Sequence, residues 1–504
     1  MLNSVDFSGR PFHFIGIGGI GMSALAYILA QRQLPVSGSD VRSSNITQRL
    51  AESGAHIFCG QDAANFDFFQ LNQEKPNGAK GEEAYSVPLV PSSTTATLNF
   101  NGAGQENGKK PVKILPQVIC STAINTANAE YKAALDLGCP IFHRSDLLAA
   151  LIQDYQSILV AGTHGKTTTS SLIGYLLLQT GLDPTIVVGG EVTAWEGNAR
   201  LGKSPYLVAE ADESDGSLVK LAAHIGIITN IELDHPDHYD SLEEVVSIFQ
   251  TFADKCEKIV ACIDCPTVGD RLQPTISYSL NPAGGADYTA DMVVYGAEGT
   301  TARIWERGKI LGQLNLQLLG QHNLSNALAA VAVGRLLGLE FTKIANAVAT
   351  FSGARRRFEI RGKANGILFI DDYAHHPSEI RATLAAARLQ AGDRKIIAIF
   401  QPHRYSRTIA FLSDFAQSFS DADVVVITDI YSAGEPNLEQ ISGQQVADLI
   451  ATHHSRVHYQ HSLNEVCTLL KSKLMSGDMA LFLGAGNLNQ IIPELVAFHQ
   501  EAET

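Results

Sequence analysis

Ser157-Ile-Leu-Val-Ala-Gly-Thr-His-Gly-Lys-Thr-Thr-Thr169 is the stretch that decides the fold of this chain. Its apolar run, Ile158 to Ala161, predicts a buried parallel strand, and Leu172 to Leu178 predicts a helix. Between them stands a glycine-rich turn that ends in Gly-Lys-Thr. This order is typical of a loop that holds a nucleoside triphosphate, because backbone N–H groups at the start of the helix face the phosphate oxygens.

The loop departs from the usual phosphate-loop pattern at one position. The pattern Gly-x-x-x-x-Gly-Lys-Thr needs glycine at position 160, and the chain has Val160 there. The loop is therefore a shortened variant, and a glycine turn that only precedes a helix is the alternative. In the nucleotide-binding interpretation, Lys166 reaches the terminal phosphates and the Thr167 hydroxyl contacts Mg²⁺.

Length and composition describe a globular chain with several domains. A chain of 504 residues is too long for one core, so roughly three domains are expected. The net charge of -15 argues against nucleic-acid binding, which needs a basic surface. No apolar run approaches the roughly 20 residues of a membrane span, and the N-terminus shows no signal-peptide pattern.

Seven scattered cysteines predict a reduced, cytoplasmic environment. Cys262 and Cys265 have the Cys-x-x-Cys spacing of metal and redox sites. No second pair accompanies them, so the favoured interpretation is that both thiols are structural.

The N-terminal segment, 1–155, carries a second glycine motif. A predicted strand from Phe12 runs into a glycine turn, and a helix over 22–31 and a second strand ending at Asp40 follow. This arrangement is the fingerprint of a dinucleotide site, in which Asp40 would bind a ribose hydroxyl or a base edge. Alone it indicates an NAD-dependent oxidoreductase, but any nucleoside carried on a diphosphate would suit it, and a tight turn without a ligand is also open. The glycines of the G-x-G-x-x-G pattern are Gly16, Gly18 and Gly21.

Residues from about 68 to 113 are polar, aperiodic and rich in Gly, Ser, Thr and Pro. Such a composition cannot bury enough apolar area to offset the entropy of ordering. The sequence therefore predicts a long flexible surface insertion, to which no chemistry is assigned. Order is predicted to resume with a strand over 118–124 and a helix over 128–137.

The central segment, 156–352, places acids after a second predicted strand, Tyr206 to Ala209. Ligands of open α/β sheets bind at the carboxyl ends of the strands, so Glu210 is predicted to hold a metal beside Thr167. For the acids that follow, a solvated loop is the favoured interpretation; these are Asp212, Glu213 and Asp215.

Two further polar groups of this segment are candidates for a nucleotide site. His235 follows a strand predicted over 225–229, but imidazole is an unusual ligand for a hard cation, so a structural role stays open. His322, Asn323 and Asn326 share one face at the start of an alanine-rich helix and suit an adenine edge. A polar first helical turn without a ligand is the alternative for these three residues.

The C-terminal segment, 353–504, is predicted to be a third α/β unit. It begins at three arginines, Arg355 to Arg357, which could reach a transferred phosphate or form a solvated turn. Polar residues follow each of its predicted strands, among them Asp372, Tyr373 and His375. Arg404 and Arg407 stand three residues apart and can clamp a carboxylate or a phosphate.

Seven motifs in one order resemble the Mur ligase family over nearly the whole chain, except for the insertion. The absence of lysine between Glu232 and Lys255 favours the branch of the family that lacks a metal-bridging carbamylated lysine. The motifs are Gly16-Ile-Gly-Gly-Ile-Gly-Met-Ser, Gly162-Thr-His-Gly-Lys-Thr-Thr, Glu210-Ala-Asp-Glu-Ser-Asp, Asn230-Ile-Glu-Leu-Asp-His, His322-Asn-Leu-Ser-Asn, Arg356-Arg-Phe and Asp372-Tyr-Ala-His-His-Pro.

The resemblance implies an α/β fold of three domains: Rossmann-like at 1–155, a central phosphate-loop ATPase domain at 156–352 and Rossmann-like again at 353–504. It implies an ATP-dependent ligase that joins L-alanine to the carboxylate of UDP-N-acetylmuramate through an acyl phosphate, in peptidoglycan precursor synthesis. The expected cofactors are ATP and Mg²⁺, as two ions. A monomer or a homodimer is expected, with no nucleic-acid partner and no membrane span.

The resemblance also assigns roles to residues. The implied catalytic residues are Lys166, Glu210, His235, Arg357 and His375. The implied ATP ligands are Gly162, Thr163, His164, Gly165, Lys166, Thr167, Thr168, His322, Asn323, Asn326, Arg356, Arg357 and Asp372. The implied substrate-binding residues are Gly18, Gly19, Gly21, Met22, Asp40, Ser121, Tyr373, His375, Arg404 and Arg407. The implied metal ligands are Thr167, Glu210 and His235.

Three alternatives remain at the level of the sequence. A related ligase that adds an intact peptide to the same UDP-sugar shares most of these motifs. An NAD-dependent oxidoreductase and a nucleotide-binding scaffold without catalysis are the alternatives from other classes of protein.

Overall fold

The structure is a computed structural model that describes residues 4–71, 115–438 and 441–501. Most of the insertion predicted at about 68–113 lies outside the described residues. By its internal contacts the chain divides into two compact units, Met1–Ala150 and Leu151–Thr504.

The first unit is a five-stranded parallel sheet in the order β3-β2-β1-β4-β5. The strand that precedes the first glycine motif is central in the sheet and wholly buried. The strands are β1 (Phe12–Ile15), β2 (Val36–Asp40), β3 (His56–Cys59), β4 (Gln117–Cys120) and β5 (Ile141–His143). The helices are α1 (Ile20–Gln31), α2 (Asn45–Glu52), α3 (Asp67–Leu71), α4 (Ala129–Asp136) and α5 (Arg144–Ile152).

The second unit contains two sheets, and the first of them has ten strands in the order β15-β14-β13-β12-β11-β10-β6-β9-β7-β8. Its strands are β6 (Gln156–Ala161), β7 (Thr185–Val192), β8 (Gly197–Arg200), β9 (Tyr206–Glu210), β10 (Ile225–Ile228), β11 (Lys258–Cys262), β12 (Ile276–Ser279), β13 (Tyr288–Gly296), β14 (Gly299–Glu306) and β15 (Lys309–Leu316). Its helices are α6 (Lys166–Gln179), α7 (Leu242–Asp254), α8 (Pro266–Arg271), α9 (Gln321–Leu336) and α10 (Phe341–Ala349).

Strand β6 lies between β9 and β10 and is parallel to both, with Ile158 opposite Val208 on one side and Ile225 on the other. Three strands therefore end at the same edge of the sheet, and the loops after them meet there. Helix α6, which follows the glycine turn, packs its buried face, including Leu172 and Leu176, into the core of this sheet. Burial of each such side chain stabilises the fold by roughly 1.5 to 3 kcal/mol.

An antiparallel meander, β13 to β15, extends this sheet and was not predicted from the sequence. Strand β14 alternates buried and partly exposed residues, as expected for a strand with one face on the core. Two bulges interrupt the pairing, at 291–294 and at 304–305. In the order of the sheet, β12, β11 and β10 separate the meander from β6, the strand that leads into the glycine loop.

The second sheet of this unit has six strands in the order β16-β17-β21-β18-β19-β20, and only β16 is antiparallel to its neighbour. Its strands are β16 (Glu359–Ala364), β17 (Ile367–Asp372), β18 (Ile396–Phe400), β19 (Val424–Thr428), β20 (Val457–Gln460) and β21 (Met479–Leu483). Its helices are α11 (Pro377–Ala391), α12 (Tyr405–Ala410), α13 (Leu412–Ala416), α14 (Gly443–Ile450), α15 (Leu463–Lys473) and α16 (Ile492–Glu501).

The prediction of three α/β units is confirmed by three sheets that are mostly parallel and alternate with helices. The boundaries predicted at 155–156 and 352–353 stay predictions. In the part of the chain that the structure describes, no helix combines the length and the apolar character needed to cross a membrane.

Candidate nucleotide-binding site

The glycine loop joins β6 to α6 and is shaped by two glycines with positive φ, Gly162 at 141° and Gly165 at 81°. Lys166 begins the helix, and its Nζ folds back over the loop. It donates to the carbonyl oxygens of Gly162 at 2.6 Å and Thr163 at 3.1 Å. The loop therefore presents a cation and the N-terminus of a 14-residue helix to the same space, which suits an anion.

We expect Gly162→Ala to destabilise the protein by on the order of 2 kcal/mol or more, because a Cβ at position 162 would lie 1.9 Å from Thr229 Oγ1 and 3.1 Å from the Thr229 backbone N. Urea denaturation measures the change. Gly181→Ala is the matched control, since Gly181 has a φ of 82° but nothing within 4 Å of its Cβ position. The control should cost only about 1 kcal/mol of backbone strain. Equal losses in both variants would contradict the steric argument.

A hydroxyl and a carboxylate lie side by side at the start of α6. The Thr167 hydroxyl donates to Glu210 Oε2 at 2.8 Å, and the Gly189 backbone N–H donates to the same oxygen at 3.0 Å. Arg357 Nη2 lies 3.4 Å from Thr167 Oγ1. Oxygen donors of this kind are the ligands that Mg²⁺ prefers, so these residues fit a magnesium ion next to a phosphate.

Glu213 is not part of a solvated loop, and the prediction for this residue was wrong. Its side chain is buried, and its Oε1 lies 2.8 Å from Lys166 Nζ. Burial alone would lower the pKa of Lys166, but the carboxylates around it, Glu213 first among them, outweigh this and raise it. Sequence reasoning missed this pairing because Lys166 and Glu213 are 47 residues apart in the sequence, and nothing near either residue indicates the other.

The other acids and the histidine of this region lie close to the same pair. Asp212 and Asp215 are partly buried, so neither is fully solvated as predicted. His235 has a φ of 56°, and its Nε2 lies 4.0 Å from Glu213 Oε1 and 3.6 Å from Asp234 Oδ2. Burial lowers the pKa of His235, which leaves its imidazole neutral at pH 7.

A cavity of about 230 Å³ opens beside the loop and is lined by residues of both sheets of the second unit. Its walls are partly apolar and carry a few amide, hydroxyl and carboxylate groups, which suits a purine nucleoside. The predicted site residues that line it are His164, Gly165, Thr168, His322, Asn323, Asn326, Arg357 and Asp372. The lining residues that sequence reasoning missed are Thr229, Asn230, Leu318, Leu319, Ser325, Gly353, Phe358, Ser378, Glu379, Ala382, Thr383 and Ala386.

The two asparagines of the cavity lie in the first turns of α9. Asn323 Nδ2 donates to the Leu319 carbonyl at 2.8 Å, and Asn326 Nδ2 lies 3.4 Å from Asn323 Oδ1. Asn326 also touches the phosphate loop, because a Cβ at Gly165 would lie 2.7 Å from Asn326 Oδ1. Glycine at position 165 is therefore required both by its φ and by this contact.

Asp372 ends β17 and brings a carboxylate of the C-terminal sheet to the cavity. It accepts hydrogen bonds from the backbone N–H groups of Phe358 at 2.7 Å and Ala374 at 2.8 Å. Burial raises the pKa of Asp372 to about 6, against the effect of Arg357. The two backbone N–H groups fix the orientation of this carboxylate.

The three arginines at 355–357 have three different environments. Arg355 is largely exposed and pairs with Glu191 at 2.8 Å. Arg356 Nη2 donates to the Gly484 carbonyl at 2.6 Å, and its Nε lies 3.4 Å from Asp371 Oδ2. Only Arg357 of the three lines the cavity.

The predicted anion clamp is already occupied by acids of the chain. Arg407 is buried, with 2% of its side chain exposed, and its Nε lies 2.8 Å from Oδ1 of Asp234, which is 5% exposed. Arg404 Nη1 lies 3.0 Å from Asp237 Oδ2 and 2.8 Å from Glu435 Oε1. These contacts join the C-terminal sheet to the loop that follows β10.

The histidines near Arg407, which are His375 and His403, are neutral at pH 7. His375 Nδ1 lies 2.9 Å from the Tyr373 carbonyl, and the ring centroid of His375 lies 5.9 Å from that of His403. Burial lowers the pKa of His375 to about 4 and that of His403 to about 3. Tyr373 lies beneath the guanidinium groups of Arg356 and Arg357, at 4.9 and 5.2 Å from its ring centroid.

We expect the free energy of unfolding to fall as the pH is lowered from about 6.5 to 5, because the unfolded chain takes up protons that His375 and His403 refuse in the folded state. Each such imidazole contributes a slope of about 1.4 kcal/mol per pH unit. His403→Gln should reduce the slope measured by urea denaturation. The exposed His453→Gln is the control, and an unchanged slope in His403→Gln would contradict the prediction.

Most of the predicted substrate-binding residues of the first unit lie in the turn between β1 and α1 or at the start of α1. The Gly18 backbone N–H donates to Asp40 Oδ2 at 2.9 Å, and a Cβ at Gly18 would lie 2.8 Å from the same oxygen. Met22 is buried in α1, Gly19 is exposed, and Ser121 is partly buried after β4. Sequence reasoning missed Arg144, whose Nη1 would lie 3.4 Å from a Cβ at Gly21.

The fold and the site define a nucleotide-binding α/β protein with a phosphate loop, an adjacent hydroxyl–carboxylate pair and a nucleoside-sized cavity. Three family profiles match the chain in order: Mur ligase family, catalytic domain, at residues 11–156; Mur ligase middle domain at 160–334; and Mur ligase, glutamate ligase domain, at 356–486. Relatives that are similar over the full length of the chain support the same assignment. Together, these matches show that the chain belongs to the Mur ligase family.

Two curated relatives illustrate the similarity. A UDP-N-acetylmuramate--L-alanine ligase of Nostoc punctiforme is 66% identical over 505 residues, which cover 100% of this chain and 99% of the relative. A ligase of the same name from Trichodesmium erythraeum is 61% identical over 530 residues, covering 99% and 98%.

Solved structures agree on the fold. The UDP-N-acetylmuramate-alanine ligase of Thermotoga maritima superposes with a TM-score of 0.77 at 26% identity and covers 98% of this chain and 99% of that one. A murein peptide ligase of Psychrobacter arcticus has a TM-score of 0.67 at 22% identity, with coverage of 98% and 99%, and shares the fold.

Proposed function

We propose that the chain is an ATP-dependent ligase that joins L-alanine to the carboxylate of UDP-N-acetylmuramate in peptidoglycan precursor synthesis. The observation that carries the proposal is the 66% identity, over the full chain, to a relative of that name, in a protein whose glycine loop ends in Gly-Lys-Thr. In this proposal the glycine turn of the first unit binds the UDP portion, and the cavity beside the loop binds the nucleoside of ATP. The domains are those predicted at 1–155, 156–352 and 353–504.

The first step transfers the γ-phosphoryl group of ATP to a carboxylate oxygen, and ADP leaves. Such a transfer depends on positioning and charge neutralisation more than on covalent help from the protein. Lys166 and Arg357 supply fixed positive charge at the loop. Thr167 and Glu210 would hold Mg²⁺, and His235 would be a ligand of a second ion. The bound Mg²⁺ would neutralise charge on the phosphate oxygens.

The second step forms the amide bond. The amine nitrogen of L-alanine attacks the acyl carbon, the bond from that carbon to the phosphate oxygen breaks, and inorganic phosphate leaves. The amine loses a proton as the bond forms, and the imidazole of His375 is proposed to accept it, because burial lowers the pKa of His375 to about 4 and leaves the ring neutral at pH 7. Tyr373 and the partly exposed Arg404 are proposed to orient the two carboxylate-bearing substrates, whereas Arg407 is buried against Asp234.

Release of inorganic phosphate from ATP tests the proposal. We expect release only when UDP-N-acetylmuramate, L-alanine and Mg²⁺ are all present, with loss of the signal in EDTA. Replacing L-alanine by a tripeptide distinguishes the related peptide ligase, because that activity would require the tripeptide. Binding of NAD by the full chain with no release of phosphate under any condition would overturn the proposal in favour of an oxidoreductase.

The same proposal includes the oligomeric state and the cellular location of the enzyme. A monomer or a homodimer and a cytoplasmic location are proposed. The seven cysteines support the location, because all are free thiols rather than disulfides. Gel filtration with light scattering measures the oligomeric state.

A further inference from the structure

His164 is the phosphate-loop residue whose side chain lies between the two sheets of the second unit. Its Nε2 lies 3.3 Å from Oε2 of Glu232, in the loop after β10, and its Nδ1 lies 3.3 Å from Oε1 of Glu379, in the first turn of α11. The imidazole is largely buried, with 14% of its side chain exposed. One ring therefore contacts a carboxylate on each side of the junction. These three residues are called the His164 bridge.

The start of α11 strengthens this junction. The Ser378 hydroxyl donates to Glu232 Oε2 at 2.8 Å, and the ring of His376 lies 4.7 Å from that of His164, centroid to centroid. The Glu232 carboxylate thus lies at the N-terminus of a 15-residue helix, where the helix dipole favours negative charge. The contact joins the phosphate loop, the loop after β10 and α11.

The charges of the bridge are complementary. Burial alone would lower the pKa of His164, but the carboxylates of Glu232 and Glu379 outweigh it and raise the pKa to about 10. Burial alone would raise the pKa of Glu232, but hydrogen bonding to His164 helps to lower it to about 2. At pH 7 the bridge is an imidazolium between two carboxylates: its Nε2 donates a hydrogen bond to Glu232, and its Nδ1 lies 3.3 Å from Glu379 Oε1 as an ion pair without hydrogen-bond geometry.

A metal ion is the alternative occupant of this junction. His164, Glu232 and His376 have potential ligand atoms that all lie within 4.8 Å of one another. However, His376 Nδ1 accepts a hydrogen bond at 3.2 Å from the Ser378 N–H, and so caps α11. Both nitrogens of His164 face carboxylates, as an imidazolium requires. The ion pair accounts for these contacts without a metal.

We propose that His164 is a positioning residue, whose bridge to Glu232 and Glu379 holds α11 against the phosphate loop and thereby completes the nucleoside cavity. One wall of that cavity belongs to α11, through Ser378, Glu379, Ala382, Thr383 and Ala386. The bridge holds a helix that forms a wall of the cavity, so it affects every adenine nucleotide and not the γ-phosphate alone. The inference rests on the proposed function only for the turnover assay.

The test compares His164→Asn with the wild-type chain in equilibrium binding of fluorescent ATP and ADP analogues. We expect the dissociation constants of both nucleotides to rise by a similar factor, roughly tenfold, because the cavity wall is released. A rise for ATP with unchanged binding of ADP would overturn the proposal, since it would show direct contact with the γ-phosphate. In turnover assays the KM for ATP should rise by more than kcat falls.

Two variants separate positioning from general destabilisation. Glu379→Gln should raise both dissociation constants, and its effect should not add to that of His164→Asn, because the two residues form one bridge. Arg388→Ala is the matched control, since Arg388 lies on the same helix but pairs at 2.7 Å with Asp423 of its own sheet. Additive effects, or an equal effect of Arg388→Ala, would overturn the proposal.

Two further outcomes are decisive. Elemental analysis that finds a metal ion bound one-to-one in the wild-type chain and lost in His164→Asn would overturn the ion-pair assignment. If wild-type chain binds the nucleotides but releases no phosphate with L-alanine, the proposed function fails while the binding comparison still tests the bridge. The failures of the two proposals are therefore distinguishable.

Discussion

Lys166→Ala is expected to lower kcat/KM for phosphate release by roughly a thousandfold or more, which is the range for removal of a fixed charge at a transferred phosphoryl group. Lys166 is the cation that the loop itself supplies, and its Nζ lies within 3.1 Å of two loop carbonyl oxygens. The variant also leaves Glu213 buried without its cation. Steady-state kinetics with L-alanine and UDP-N-acetylmuramate measure the loss.

Lys471→Ala is the control for this variant, because Lys471 of α15 forms an exposed ion pair with Glu494 of α16 at 2.7 Å. Its activity should equal that of the wild type. A Lys166→Ala protein that is folded by circular dichroism and retains a tenth of the wild-type activity would contradict the proposed role of Lys166.

Arg407→Met is expected to lower the free energy of unfolding by about 3 to 5 kcal/mol, because it leaves the buried Asp234 carboxylate without its partner. Arg407 holds the pKa of Asp234 below its usual range, against the effect of burial. The double variant Asp234→Asn with Arg407→Met removes the uncompensated charge and should recover at least half of the loss. Urea denaturation at pH 7 measures all three proteins.

Arg404→Met provides the comparison for a partly exposed pair. A third of the Arg404 side chain is exposed, at 33%, and so is a third of Asp237, at 32%. Such pairs contribute about 0 to 1 kcal/mol, so the loss should be small. Equal losses of stability in Arg404→Met and Arg407→Met would contradict the argument that burial makes the Arg407 pair the more important of the two.

Local patterns were sufficient for much of the fold. Tyr206 to Ala209 was predicted as a strand and forms β9, which ends one residue later at Glu210. Val160 and its neighbours predicted β6, and the glycines after it predicted the turn into α6. These predictions succeeded because a buried parallel strand is a short apolar run bounded by turn residues, which is a local property of the sequence.

Contacts between residues that are far apart in the sequence could not be predicted from local patterns. Asp234 and Arg407 are 173 residues apart, and nothing near either residue indicates the other. Sequence reasoning therefore treated Arg407 as available to a substrate and Glu213 as solvated. Sequence reasoning also did not place Glu379 in the site, although it faces the phosphate loop. The meander β13 to β15 was missed because apolar and polar residues alternate only weakly along its strands.

The strand that carries Asp372 into the nucleotide cavity is held between β16 and β21, and β21 is the last strand that the structure describes. During synthesis on a ribosome, the phosphate loop emerges more than 300 residues before β21 does. A nascent chain thus possesses the loop long before it possesses the second wall of the cavity. A chain that stops before β21 therefore has the phosphate loop but lacks one neighbour of the strand that brings Asp372 to the cavity.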